Sequence, residues 1–235
     1  MLINNKGNTK VLYKDNDTIN QKSRYLENSK KLAELIKKGQ DENNFTKYFL
    51  DEAKISTQDH KPNHSECDMR ENNSSRITEK RICRCMYYFG KSIDKCNKCP
   101  LSQKYNNVSN KFKIIDYEAP MKYVIENCGG IDIIIEDIQS GEKYAVEIKP
   151  KNSTETLVRM IAEIYTYTAD GTNDYKKAIA FFEGSQQERD YFNEDYIQNK
   201  DFNYILEQVT VFRISEKEIN NDIINYDIEI LNRNI

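Results

Sequence analysis

Two short β-rich runs joined by a tight turn set the terms for the rest of this chain. The first, Ile131 to Glu136, reads Ile-Asp-Ile-Ile-Ile-Glu, and the second, Lys143 to Lys149, reads Lys-Tyr-Ala-Val-Glu-Ile-Lys. Ser140 and Gly141 supply the turn, and Pro150 ends the second run. Side chains two apart on a strand share a face, so Glu147 and Lys149 project together. Antiparallel pairing across the turn brings Asp132 to the same strand end. Two neighbouring carboxylates repel each other unless a cation neutralises them. Oxygen-only ligation suits Mg²⁺, which takes one or two carboxylates and keeps waters for exchange with phosphate oxygens. A lysine beside such an ion can orient or deprotonate a water and meet charge developing on phosphorus. The set is suited to hydrolysing a phosphodiester.

The surrounding pattern predicts a mixed α/β fold. Strands are expected at Lys113 to Glu118, in the two runs above, at Lys177 to Glu183 and at Val209 to Ile214. A helix capped by Ser153 or Thr154 is expected to run to about Thr168, and a second from Gln186 to about Gln208. Upstream, 1 to 23 are polar and unpatterned, and a helix is expected from Asn28, capped by Ser29 and stopped at Gly39. Another is expected from Asp41 towards Ile55. From about Ser56 to Asn110 the periodicity breaks, in a stretch holding both histidines and five of the 6 cysteines. Such a long irregular segment is uncommon in a compact domain unless something pins it. Three parts follow: an N-terminal helical segment (1–55), a Cys-rich, basic, metal-pinned insertion (56–110) and an α/β core (111–235).

Asp132, followed after fourteen residues by Glu147-Ile148-Lys149, resembles the motif of the PD-(D/E)xK nuclease superfamily. That family's core of a helix, three strands, a helix and a strand is similar to the order from about Lys111 to Phe182. Its usual proline before the aspartate is replaced by Ile131. Glu163 to Tyr167 is similar to the Gln-x-x-x-Tyr helix of RecB-like members, with Glu163 in place of glutamine. The resemblance implies a restriction-endonuclease-like mixed sheet flanked by helices. It implies Mg²⁺ (or Mn²⁺) on Asp132, Glu147 and the Ile148 carbonyl, with Lys149 positioning the attacking water. Glu163 and Tyr167 join the catalytic set on the same ground. Some members add a carboxylate from the first core helix, for which Glu34, Glu52 and Glu118 are candidates. A solvated stripe of Glu155, Arg159 and Glu163 at four-residue spacing explains Glu163 equally well.

Cys83-x-Cys85 and Cys96-x-x-Cys99 place four thiols within a short span, which suits tetrahedral structural Zn²⁺. Cys67 with His64 could replace one of the first pair, and an iron–sulfur cluster is the rival, since certain RecB-like nucleases carry one. In those, one cysteine precedes the core and three follow it, whereas here no cysteine follows Cys128, which reads as a small buried residue.

Charge adds a partner. The whole chain carries net charge −3, yet from Arg76 to Lys113 ten Lys/Arg stand against Glu79 and Asp94. Arg81, Arg84, Lys91, Lys95 and Lys98, interleaved with tyrosines, are the candidate nucleic-acid contacts. The reading is a metal-dependent nuclease acting on nucleic acid, DNA in preference to RNA. The alternative is a catalytically silent, zinc-containing nucleic-acid- or protein-binding module on the same fold. A mean hydropathy of −0.83 and the lack of any apolar run near the ~18 residues of a membrane helix exclude an integral α-helical membrane protein. The Asn-rich start lacks the apolar stretch of a secretory signal, so a cytoplasmic location is expected.

Overall fold

A computed structural model of the protein describes residues 21–50, 55–57, 79–89, 106–107, 111–119, 123–125, 130–169, 175–219 and 223–232. The helices are α1 (Gln21–Asp41), α2 (Phe45–Phe49), α3 (Glu79–Phe89), α4 (Leu157–Tyr167), α5 (Gln186–Tyr191), α6 (Glu194–Ile197) and α7 (Lys200–Glu207). The strands are β1 (Ile55–Thr57), β2 (Asn106–Asn107), β3 (Phe112–Ala119), β4 (Tyr123–Ile125), β5 (Ile131–Asp137), β6 (Lys143–Lys149), β7 (Lys176–Phe182), β8 (Thr210–Ile219) and β9 (Ile223–Ile230).

Seven strands form one mixed sheet in the order β2-β9-β8-β7-β6-β5-β3, and β1 pairs with β4 in a separate two-stranded sheet. β3, β5 and β6 are antiparallel neighbours, whereas β7 runs parallel to β6 and β8 parallel to β7. The parallel steps follow from the helices between those strands, since a parallel neighbour needs a crossover. β9 returns antiparallel along β8, a strand beyond those expected from the sequence.

Period-two alternation sends the strands' apolar side chains to both faces. Ala145, Ile179, Phe181 and Val211 join α1, α2, α4 and α7 in one apolar layer. Val146, Ala178, Ala180, Phe182 and Phe212 join α3 in the other. In the second layer Phe212 meets Phe112 and Tyr144 edge-on, with ring centroids 5.3 and 5.2 Å apart. The sheet is therefore covered on both sides.

Several sequence expectations need correction. The stretch 56 to 110 is not irregular throughout, because α3 places Ile82, Cys83 and Met86 on one buried stripe. Ser29 is not a cap: it lies inside α1, donating its hydroxyl to the Tyr25 carbonyl at 2.8 Å. Gly39 does not stop the helix either, which runs on to Asp41. Its role is close approach, since a Cβ there would lie 2.5 Å from the Phe45 ring. The helix expected from Asp41 to Ile55 is only the short α2 within the described residues. The cap of α4 is Thr156, whose hydroxyl accepts from Arg159 N–H at 3.2 Å. The expected long helix from Gln186 divides into three because Asn193 and Asn199 each cap a new start.

Candidate active site

β5 and β6 fork where the motif residues lie. Their pairing runs from Glu136↔Lys143 to Ile133↔Val146 and stops. Outer neighbours continue past that point, β3 to Ala119↔Ile131 and β7 to Lys149↔Phe181. A side chain takes over from the backbone ladder here: the Asp132 carboxylate accepts the Ile148 N–H at 2.9 Å. Asp132, Glu147 and Lys149 are thus brought together at the fork, as the hairpin predicts.

Lys149 is the hub. Its ammonium lies 2.5 Å from Glu147 Oε1, 3.0 Å from Glu79 Oε2, and 3.4 Å from both Glu155 Oε2 and Glu163 Oε2. Arg159, one turn along α4, binds the other oxygens of the last two, at 3.2 Å from Glu155 Oε1 and 2.8 Å from Glu163 Oε1. Four carboxylates therefore surround two cations, with Asp132 beside them, and the centre of the cluster is withdrawn from water, with Glu147 2% and Lys149 5% exposed.

The electrostatics follow from that crowding. Burial pushes the Asp132 carboxyl well above its ordinary pKa, and the charge of Glu79 adds to it. Burial does the same to Glu147, reinforced by Asp132. Burial alone would lower Lys149, but Glu147, Glu163, Asp132 and Glu79 outweigh it and hold the ammonium above the usual lysine value. Glu163 goes the other way: burial opposes its charge, yet Lys149, a side-chain hydrogen bond with Glu147, and Arg159 bring its pKa below the ordinary value. One oxygen each of Glu147, Glu155 and Glu163 is buried without a hydrogen-bond partner among the described residues.

Carboxylate oxygens of Glu79, Asp132 and Glu147 lie within 4.8 Å of one another, close enough to hold one metal ion. Glu79 is the member that sequence reasoning missed. It opens α3, the helix of the opposite sheet face, and its signal was the stripe Glu79-Ile82-Cys83-Met86 at helical spacing. Of the carboxylates considered in its place, Glu34 is exposed on α1 and Glu118 faces Lys80 and Arg84 at 3.5 Å. Glu52 lies outside the described residues. Glu163 is buried at the hub rather than on a solvated stripe. Tyr167, one turn further, is half-buried against the apolar layer.

The thiol and cation readings divide differently. Cys83 is buried in the apolar layer under α3, and Cys85 is half-buried. Two residues apart on a helix, their side chains point about 200° apart around its axis, so these two sulfurs do not converge on one ion. Arg81 is 3% exposed, which corrects the expectation that it meets a polyanion. Arg84 is engaged by Glu118 and lies over the Tyr117 ring. His64, Cys67, Cys96, Cys99, Cys128, Lys91, Lys95 and Lys98 lie outside the described residues.

Among the described residues no helix is long and apolar enough to cross a membrane. No family model, no curated protein and no solved structure matches this chain.

Proposed function

We propose that the chain is a divalent-metal-dependent nuclease on a restriction-endonuclease-like core, hydrolysing phosphodiester bonds in nucleic acid, DNA in preference to RNA. The observation that carries this reading is the convergence of Glu79, Asp132 and Glu147 oxygens beside Lys149 at a fork between strands. The DNA preference rests on the resemblance, since most of that superfamily acts on DNA.

The residues present fit a hard cation. All the donors are oxygens, as Mg²⁺ and Mn²⁺ prefer, and the partnerless buried Glu147 oxygen is one that a cation would satisfy. Glu79, Asp132 and Glu147 would hold the ion, joined by the Ile148 carbonyl. When bound, it supplies Lewis-acid charge to a phosphate oxygen and lowers the pKa of a bound water. Lys149, kept protonated by its carboxylates, would supply positive charge to the negative charge developing on phosphorus. The Asp132 carboxylate, by taking the Ile148 N–H, fixes the spacing of the two strands at the fork. Burial of the cluster limits screening by water and strengthens each of these interactions.

Incubating the protein with Mg²⁺ or Mn²⁺ and single- and double-stranded DNA and RNA tests the reading. Cleavage should fall by roughly 10²–10³-fold in Lys149→Ala, with DNA binding retained. A protein that binds DNA but cuts none of these substrates with either metal would be the silent binding module instead.

A further inference from the structure

Glu155 and Glu163 have no part in the Asp132…Glu147-Ile148-Lys149 string, yet both aim an oxygen at Lys149. We propose that they form a second seat for the Lys149 ammonium, into which it shifts when a divalent cation takes the oxygens of Glu79, Asp132 and Glu147. This makes Glu155 and Glu163 positioning residues, and it rests on the metal-dependent reading above.

Lys149 and a metal ion draw on the same carboxylate groups. The ammonium holds Glu147 Oε1 and Glu79 Oε2, and both residues belong to the trio that could bind an ion. A divalent ion there repels the ammonium and draws on the charge of the carboxylates that hold it. The ammonium then needs acceptors beyond the trio, since a buried, unpaired charge is strongly disfavoured.

Those acceptors are already built. Arg159 fixes Oε1 of both Glu155 and Glu163, so neither carboxylate is free to follow a metal ion. Their Oε2 atoms are left buried and without a hydrogen-bond donor among the described residues, each 3.4 Å from Lys149 Nζ. A shift of a few tenths of an ångström would turn both into hydrogen bonds. The backbone holds the seat in place as well, because Gln187 Nε2 donates to the Glu155 carbonyl at 2.5 Å and Glu155 N–H donates to Ser153 Oγ at 3.2 Å.

Mn²⁺ binding to the metal-free protein, followed by electron paramagnetic resonance, tests the seat without any cleavage assay. Glu155→Gln should weaken Mn²⁺ binding by about tenfold when Lys149 is present, and by less than about twofold in a Lys149→Met background. Equal weakening in both backgrounds would mean that Glu155 acts only through its field, and the seat is then refuted. A second readout avoids the Lys149→Met protein altogether. The Lys149 side-chain ¹³Cε–¹⁵Nζ signal should move on adding Mg²⁺, and Glu155→Gln should displace the Mg²⁺-bound signal more than the metal-free one. A signal that ignores Mg²⁺, or equal displacement in both states, overturns the proposal. If the wild-type protein takes up no Mn²⁺, the nuclease reading falls together with the seat. Uptake with equal factors removes the seat alone.

Discussion

The Glu79 carboxylate accepts a hydrogen bond from the Lys149 ammonium at 3.0 Å, across 70 positions of sequence. That contact joins a helix on one face of the sheet to a strand whose charged side chains belong with the other face. It also completes the oxygen trio with Asp132 and Glu147. Lys149 is thereby the counter-ion of the trio as well as a candidate for meeting phosphate charge.

Glu79→Gln keeps the shape of the side chain and removes one charge from the trio. Metal affinity and metal-dependent cleavage should both fall by roughly 10–100-fold. Mn²⁺ titration and initial rates on a labelled DNA substrate measure this, and unchanged values for both would exclude Glu79 from the site.

Asp132→Asn should stabilise the metal-free protein while removing metal binding. A carboxyl whose pKa is raised in the fold contributes stability below its unfolded value, near 4, and loses it as pH rises towards the folded value. At about pH 7–8 in EDTA the variant should gain on the order of 1 kcal/mol over wild type, or about 2–4 °C in Tm. The gap should close towards pH 4. Thermal unfolding across that range decides it, and a gap independent of pH would contradict the assigned cause.

Cys83 should resist alkylation until the protein unfolds, and Cys85 should react before it. Burial pushes the Cys83 thiol pKa up, with Asp132 adding to it, so little reactive thiolate forms. Iodoacetamide labelling with peptide mass spectrometry gives the order. Rapid labelling of Cys83 in the native protein would show that α3 does not pack on the sheet as described.

Asn199→Ala should cost about 1 kcal/mol, because the side-chain oxygen caps α7 by accepting from Asp201 N–H and Phe202 N–H at 3.1 and 2.9 Å. Asn199→Asp should lose little. Urea unfolding of the two variants beside wild type provides the comparison, and equal midpoints for all three would remove the cap.

How much was legible depends on sequence distance. The hairpin carrying Asp132, Glu147 and Lys149 could be read in advance because period-two alternation and a short turn fix register locally. The strand at Lys177 was readable for the same reason. The helix from Gln186 was read as continuous because its two capping asparagines, Asn193 and Asn199, also occur inside helices. β9 carries an unbroken apolar/polar alternation from Ile224 to Ile230, a local strand signal, and its place in the sheet is set by pairing along β8.

The sequence by itself determined the α/β class and the motif hairpin, since both arise from periodicities that a few neighbouring residues impose on the backbone. Tertiary structure alone decided that Glu79 joins Asp132 and Glu147, that Arg81 is buried, and that the Glu155–Arg159–Glu163 stripe faces Lys149 rather than water. Local pattern can place a charge on a helix face. Which way that face turns is settled by how the helix packs on the sheet, and that depends on apolar residues far away along the chain.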